Sequence, residues 1–292
     1  MKHELDTLIR ERAPWMYGGG PVTNGVRAVL HRVLSYDRAL GLGEQLQDLP
    51  APAIMDRIAD LIARDVFVEG LDAIPQDGPA MVVCNHPTGI ADGIVLWKLL
   101  ARKRPDLFFF ANGDILRLLP QFETMIAPVE WREGLRTHAK NRQTLTYAKQ
   151  AFAEDRLAVI FPSGRLAKRK GLRLHERPWM PSAAMLARKY DLPVIPLRIT
   201  ARNSALFYLF DKVHPTLRDI TLFHEVLNKD RFRFHVKGAR QIAGSALPPD
   251  GEQATRVLFN AVARLADDSA ERAIFTGGSL QAALRKRRPN FG

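Results

Sequence analysis

A histidine and an aspartate follow one apolar segment of the chain at a spacing that could serve chemistry. His86 comes just after the apolar run Ala80 to Cys84, and five residues separate it from Asp92. An unperturbed imidazole titrates at about 6.5, so it can take a proton from a hydroxyl group near neutral pH. A neighbouring carboxylate would fix the tautomer of that imidazole and stabilise its protonated form. The pair therefore indicates general-base catalysis on a hydroxyl group.

The spacing of the pair also constrains the backbone. Residues six apart in a continuous helix point about 240° away from each other, so His86 and Asp92 meet only where the chain turns between them. Pro87 and Gly89 favour such a turn. From spacing alone another interpretation stays open, in which His86 caps the local backbone and Asp92 is the N-cap of a helix that runs from Gly93.

The elements that must position this pair alternate along the chain. Short apolar runs bounded by Gly and Pro predict buried strands. These runs are Val66 to Val68, Ala80 to Cys84, Leu107 to Phe110, Leu157 to Phe161 and Val194 to Ile199. Helix-like segments lie between them, which predicts an α/β fold with a mixed, largely parallel sheet flanked by helices. Residues Phe232 to Val236 alternate apolar and polar side chains, as an edge or half-buried strand would.

The two ends of the chain have a helical pattern. Apolar residues recur at helical spacing near the N-terminus, at Val26, Val29, Leu30 and Val33. We therefore predict an N-terminal helical segment over residues 1–62 and an α/β domain over residues 63–292. A last helix is expected near Glu252 to Leu265, ahead of the basic cluster Arg285 to Arg288.

The composition indicates which class of partner the protein binds and where in the cell it is located. A formal net charge of +12 favours anionic partners such as acidic lipids, phosphorylated molecules or nucleic acid. The single cysteine excludes an intramolecular disulfide and suits a reducing compartment. Met1 to Pro14 lacks the apolar core of a secretory signal, and no apolar run approaches the ~20 residues of a spanning helix. We expect a cytoplasmic protein that lies peripherally on the inner face of the membrane.

Four segments resemble one known family in their order along the chain. The stretch Asn85 to Gly93 resembles the first motif of the phospholipid/glycerol acyltransferase family (lysophospholipid acyltransferase-like), in its hemolysin-like branch, where five residues separate His and Asp. Three later segments resemble the second, third and fourth blocks of this family in turn: Phe110 to Val129, Phe161-Pro162-Ser163-Gly164-Arg165, and Leu192 to Pro196. Ser163 stands where many relatives carry Glu, and Arg165 replaces an acidic residue of the branch, so this block is more basic than the family pattern.

The resemblance implies an O-acyltransferase of the 1-acylglycerol-3-phosphate acyltransferase type, with His86 as general base oriented by Asp92. The implied donor co-substrate is acyl-CoA or acyl carrier protein, and no other cofactor is expected. The implied acceptor is a lysophospholipid, glycerol phosphate or related monoacylated lipid at an anionic membrane surface. The predicted substrate-binding residues are Asn112, Arg117, Phe161, Pro162, Ser163, Gly164, Arg165 and Lys168.

The basic segment after the third block has two interpretations. Its cations can hold the phosphate of an acceptor or of a pantetheine arm, or they can form a solvated surface loop. The residues concerned are Arg165, Lys168, Arg169, Lys170 and Arg173. Nucleic acid is not an expected partner, because the range from Arg165 to Arg173 contains no aromatic residue on which a base could stack.

Other functions remain open at this level. A non-catalytic basic protein could bind acidic membrane or nucleic acid, and a lipid thioesterase or other hydrolase would let water replace the acceptor. Cys84 is expected to pack as a small hydrophobe rather than act as a nucleophile. No metal site is expected, because Trp179 stands where a zinc motif that starts at His175 would need its second histidine.

Overall fold

The structure, a computed structural model of the chain, describes residues 2–130, 132–171 and 173–276. The α-helices within these ranges are α1 (Lys2–Arg12), α2 (Pro21–Val33), α3 (Tyr36–Leu46), α4 (Ala51–Ile62), α5 (Ile90–Leu100), α6 (Ile115–Leu118), α7 (His138–Ala153), α8 (Ser182–Lys189), α9 (Ala205–Val213), α10 (Pro215–Ile220), α11 (Leu222–Leu227), α12 (Gly251–Ala263) and α13 (Asp268–Thr276). The strands are β1 (Asp65–Glu69), β2 (Ala80–Cys84), β3 (Phe108–Asn112), β4 (Ile126–Val129), β5 (Leu157–Ile160), β6 (Lys168–Lys170), β7 (Arg173–His175), β8 (Val194–Thr200) and β9 (Arg233–Gly238).

Seven of these strands form one mixed sheet in the order β1-β9-β8-β2-β5-β3-β4. The strands β8, β2, β5, β3 and β4 run parallel to one another. Strand β9 is antiparallel to β8 and parallel to β1. The predicted α/β fold with a largely parallel sheet is therefore confirmed. Because parallel strands end at the same edge, the loops that follow β2, β3, β4 and β5 meet on one side of the molecule.

Strand β2 lies at the centre of the fold and is buried on both faces. Its residues alternate between two cores, as the two-residue period of a strand requires. Ala80, Val82 and Cys84 pack into a cluster that includes α4 and α5. Met81 and Val83 pack into a second cluster with residues of α7, α8 and α12. Helices on both faces explain why the sequence of β2 is continuously apolar.

The predicted places of the first and last strands are reversed in the structure. Strand β1, predicted as buried, is an edge strand whose Val68 is 44% exposed. Strand β9, predicted as an edge or half-buried strand, lies between β1 and β8 and buries Phe234, His235 and Val236. A local pattern does not reveal which strands pair. In β9 the polar residue His235 is buried because its Nε2 lies 2.9 Å from Glu69 Oε1 on the neighbouring strand.

The N-terminal region is helical, as predicted, and it packs in two places. Residues of α4 belong to the main core of the sheet. The segments before it share a smaller cluster with α10, in which Met16, Leu30 and Ile220 are buried. The division of the chain at residue 62 stays a prediction. Helix α12 matches the predicted last helix, and Arg285 to Arg288 lie outside the described residues.

No helix in the described part of the chain combines the length and the apolar character that a membrane span needs.

Candidate active site

His86 and Asp92 come together at the carboxyl end of β2. His86 Nδ1 lies 3.0 Å from Asp92 Oδ2, which is an ion-pair distance, although the ring N–H direction departs from a well-aligned hydrogen bond. The His86 side chain is 18% exposed and the Asp92 side chain is fully buried. With Nδ1 turned to the carboxylate, Nε2 is the ring nitrogen left to act on a substrate.

The chain between the two residues turns, as their spacing requires. Gly89 adopts φ +90° and is the N-cap of α5, so Asp92 is the third residue of that helix rather than its N-cap. Asp92 Oδ2 accepts the backbone N–H groups of Thr88 at 2.9 Å and Gly89 at 3.0 Å. The Thr88 hydroxyl donates to Oδ1. One carboxylate thus holds the turn closed and contacts His86, and the predicted helix start at Gly93 was wrong by one turn of helix.

Neighbouring strands fix the position of His86. The Phe161 ring stacks on the imidazole with centroids 4.2 Å apart and planes 26° apart. The His86 carbonyl accepts the N–H of Ala167 at 2.9 Å. Before it, the Asn85 amide exchanges two hydrogen bonds with the Ile199 backbone, at 2.8 and 2.7 Å. These contacts join the end of β2 to both of its neighbours, so the imidazole is held on a rigid part of the sheet.

A buried carboxylate that no motif singled out also reaches this turn. Glu176 Oε2 accepts the backbone N–H of His86 at 3.2 Å. Burial raises the pKa of Glu176, even though the neighbouring Ser163 and the backbone N–H of His86 lower it. The available sequence signal was weak: Glu176 is the one acidic residue in the range 165–177. Its contact with His86 spans 90 positions of sequence, which no local pattern reveals.

The third motif forms a tight turn after β5. The buried Ser163 donates its hydroxyl to the Arg165 carbonyl at 2.8 Å. Gly164 adopts φ +58° and donates its N–H to the Phe161 carbonyl at 2.9 Å. Pro162 is buried and its carbonyl accepts a backbone N–H, while Arg165 is exposed. The stacking of Phe161 on the imidazole brings this block beside His86, and Ser163 shapes the turn.

The remaining predicted binding residues lie further apart. Asn112 ends β3 at the same edge of the sheet as His86. Its side-chain amide donates a hydrogen bond to the Asp114 carboxylate at 3.2 Å. Arg117 donates to both carboxylate oxygens of Glu11 in α1, at 2.9 and 3.0 Å. Lys168 is exposed on β6. The structure therefore brings the Phe161 to Arg165 block to His86, places Asn112 along the same edge, and engages Arg117 with the N-terminal helix.

A network of charges follows β4 at this edge, and its members were not among the predicted site residues. Glu130 accepts hydrogen bonds from Arg132 at 2.8 Å and from Lys140 at 2.9 Å. The hydrogen bond from Arg132 is the main reason that the pKa of Glu130 falls to about 2. Asp114 lies 2.9 Å from Arg12 and 3.4 Å from Arg132. Their position just after a parallel strand was the signal that could have indicated them.

Cys84 is fully buried, in agreement with its predicted packing role. Burial, with the charge of Asp92 as a lesser cause, raises the pKa of its thiol well above the ordinary range. A thiol held in this state is a poor nucleophile, because the reactive form is the thiolate.

This geometry agrees with the comparison to known families. Residues 65–200, which run from β1 to the end of β8, match the family described as acyltransferase. This match confirms the resemblance that the four motifs indicated.

Three individual proteins also match the chain, each at a sequence identity below 25%. A protein of Phocaeicola vulgatus named "Lyso-glycine lipid O-acyltransferase" is 24% identical over 154 residues, which span 53% of this chain and 53% of that protein. The chain thus aligns with about half the length of this relative. A protein of the same name from Bacteroides thetaiotaomicron is 22% identical over 205 residues, 70% of this chain and 73% of the relative. A crystal structure of the 1-acyl-sn-glycerophosphate acyltransferase PlsC from Thermotoga maritima covers 89% of this chain and 96% of its own, with a TM-score of 0.48 and 15% identity.

Proposed function

We propose that this protein transfers a fatty acyl group from an acyl thioester to the hydroxyl group of a monoacylated lipid. The observation that carries the proposal is the contact between His86 Nδ1 and the buried Asp92 carboxylate at the end of β2. A histidine held in this way presents Nε2 as a general base, and the carboxylate stabilises the imidazolium that forms. The match of residues 65–200 to the acyltransferase family supports the same reaction class.

The proposed reaction needs no covalent enzyme intermediate. The acceptor hydroxyl gives its proton to His86 Nε2 while its oxygen attacks the thioester carbonyl, and a C–O bond forms. The tetrahedral intermediate collapses by breaking the C–S bond, and the departing thiolate takes the proton from the imidazolium. One thioester and one alcohol thus become one ester and one thiol. Stacking on Phe161 and the contact with Asp92 keep the imidazole in place through both proton transfers.

The acceptor proposed for this chain is a lysolipid, and the donor is acyl-CoA or acyl carrier protein. The names of both curated relatives specify a lyso-glycine lipid, which supports an acceptor of the lysolipid class. The predicted binding residues Asn112, Phe161 and Arg165 lie along the edge of the sheet that contains His86. The cations Arg12 and Arg132 at this edge are already paired with carboxylates. An acidic headgroup would therefore compete with Asp114 and Glu130 for these cations.

The proposed acceptor is an amphiphile, so the enzyme works at a membrane surface. Helix α2 presents four exposed valines at helical spacing, Val22, Val26, Val29 and Val33, of which Val22 is 79% and Val29 is 62% exposed. An apolar stripe on a helix with basic neighbours is typical of a helix that lies in the membrane interface. We place this stripe against the inner face of the cytoplasmic membrane, with the exposed Arg32 near acidic headgroups.

The proposal is tested by product analysis. Purified protein is supplied with labelled palmitoyl-CoA or palmitoyl acyl carrier protein, and with lysophosphatidic acid or lyso-glycine lipid as acceptor. We expect a labelled diacylated lipid and an equal amount of free thiol. Free fatty acid as the sole product would instead identify a thioesterase. No turnover with any pair of substrates would favour a non-catalytic membrane-binding protein.

A further inference from the structure

The basic segment after the third motif is a β-hairpin with two different faces. Strands β6 and β7 pair antiparallel, with Lys168 opposite His175 and Lys170 opposite Arg173. Gly171, which directly follows β6, adopts φ +62°. Because side chains alternate across a strand, these four residues share one face of the hairpin. All four are exposed, so this outer face presents only basic side chains at its paired positions.

The opposite face of the hairpin is packed against the body of the protein. The Arg169 guanidinium lies 4.8 Å from the centre of the Tyr208 ring and 5.9 Å from that of Phe275. Leu174, its cross-strand partner, is half-buried. These contacts with α9 and α13 fix which face of the hairpin points outward.

The basic side chains of the outer face lower the stability of the folded protein. Like charges directly opposite each other on neighbouring strands repel, and Lys170 faces Arg173 in this way. Arg173 lies 3.6 Å from Asp268, but both side chains are about two-thirds exposed, so the pair contributes little. Glu176 follows the hairpin directly, yet its carboxylate is turned inward to the His86 backbone. An anionic partner would remove this repulsion.

Both ends of the hairpin are tied to the candidate catalytic residue. Ala167, immediately before β6, donates its N–H to the His86 carbonyl at 2.9 Å. Glu176, immediately after β7, accepts the His86 N–H at 3.2 Å. A molecule that docks on the outer face therefore contacts the segment whose two ends hold the His86 backbone.

We propose that the outer face of the β6–β7 hairpin docks an acidic acyl carrier protein, which delivers the acyl thioester to His86. This inference rests on the proposed function and names the donor for it. Small-molecule sites are concave, whereas this face is an exposed two-stranded surface with separate basic groups. Such a face complements the acidic surface of a protein and speeds the encounter with it. The flexible arm of the carrier would then carry the thioester from the hairpin to His86.

The test compares two donors on two variants with the same change in charge. The hairpin variant is Lys168→Gln/Lys170→Gln/Arg173→Gln. The control variant removes three exposed cations elsewhere and is Arg142→Gln/Lys149→Gln/Arg256→Gln. We expect the ratio of kcat/KM for palmitoyl acyl carrier protein to that for palmitoyl-CoA to fall on the order of tenfold in the hairpin variant. The same ratio stays at the wild-type value in the control. Equal losses with both donors would overturn the docking proposal.

A binding measurement separates this inference from the proposed function. Holo acyl carrier protein is titrated into each protein at low and at high salt. The wild type and the control bind it more weakly as salt rises, and the hairpin variant binds it on the order of tenfold more weakly at low salt. Unchanged carrier binding by the hairpin variant contradicts the inference. The inference is also contradicted if the variant binds anionic phosphatidylglycerol vesicles more weakly but binds the carrier as well as the wild type does. Carrier binding through the hairpin without acyl transfer would contradict the proposed function alone.

Discussion

At the residue scale, Asp92 has two tasks that compete for one carboxylate. Its Oδ2 contacts His86 Nδ1 and also accepts the backbone N–H groups of Thr88 and Gly89. Closing the turn and contacting His86 are therefore not alternatives in this protein. The turn that brings Asp92 to the histidine is closed by the same atom that makes the contact. An amide in its place would have to give up at least one of these acceptor roles.

A pH dependence of stability follows from Glu176. Burial raises its pKa above the ordinary 4.5. A carboxyl group whose pKa is higher in the folded state loses its contribution to stability as pH rises from the unfolded value through the folded one. Glu176→Gln does not titrate, so we expect the stability of this variant relative to wild type to increase with pH from about 4.5 towards neutrality.

The measurement is urea denaturation of both proteins at several pH values between about 4 and 7. Glu252→Gln serves as the control, because that side chain is 86% exposed. The control is expected to show no such trend. If the stability of Glu176→Gln relative to wild type is independent of pH, or falls as pH rises, the role given to Glu176 is contradicted.

At the element scale, the sheet shows which features sequence patterns reveal. The strands β2 and β5 were predictable because burial on both faces makes their sequences continuously apolar. The places of β1 and β9 were not, because His235 becomes acceptable inside the sheet only once Glu69 lies beside it. The β6–β7 hairpin was also missed as a strand pair, since its outer face is basic and only the packing of Arg169 on Tyr208 gives it an inner face.

The apolar stripe of α2 makes a prediction about membrane binding. Val26→Asp/Val29→Asp places charges on exposed positions of the stripe, so the fold is retained while contact with lipid becomes unfavourable. We expect co-sedimentation with phosphatidylglycerol-containing vesicles to fall at least several-fold. The matched control is Leu145→Asp/Val257→Asp, at exposed apolar positions of α7 and α12. Equal binding by both variants would show that α2 is not the membrane contact.

At the scale of the whole molecule, the helices between β8 and β9 join the N-terminal helices to the sheet. The segment between β8 and β9 also contains a buried ion pair, in which Lys229 Nζ lies 2.8 Å from Glu225 Oε2 and both side chains are at most 1% exposed. Burial lowers the pKa of Lys229, against the effect of Glu225. Burial alone would raise the pKa of Glu225, but Lys229 holds it below the ordinary value. Each charge is therefore tolerated because of the other.

Breaking this pair is expected to destabilise the whole fold. Lys229→Met leaves Glu225 buried without its partner, which costs about 3–5 kcal/mol of unfolding free energy. The double variant Glu225→Gln/Lys229→Met removes both charges, so it is expected to recover most of that loss. Chemical denaturation at neutral pH measures both changes. A single variant as stable as wild type would contradict the role given to the pair.

The sequence was informative about the reaction class and less so about the assembled site. His86, Asp92 and the third motif each follow a strand closely, so their meeting at one edge of the sheet could be predicted from strand order and turn residues. Glu176 and Arg132 were not found, because their roles depend on contacts made only when distant segments fold together. The +12 charge predicted an anionic partner, but the structure was needed to show that several cations are already paired.

The central claim is that His86, oriented by Asp92, is the base for acyl transfer to a lipid hydroxyl. Its most direct test is the initial rate of diacylated lipid formation from palmitoyl thioester and lysolipid by wild type, His86→Ala and Asp92→Asn. We expect product from the wild type, a loss on the order of a thousandfold or more in His86→Ala, and a large but smaller loss in Asp92→Asn. Circular dichroism checks that each variant is folded. Transfer by folded His86→Ala at the wild-type rate would contradict the account.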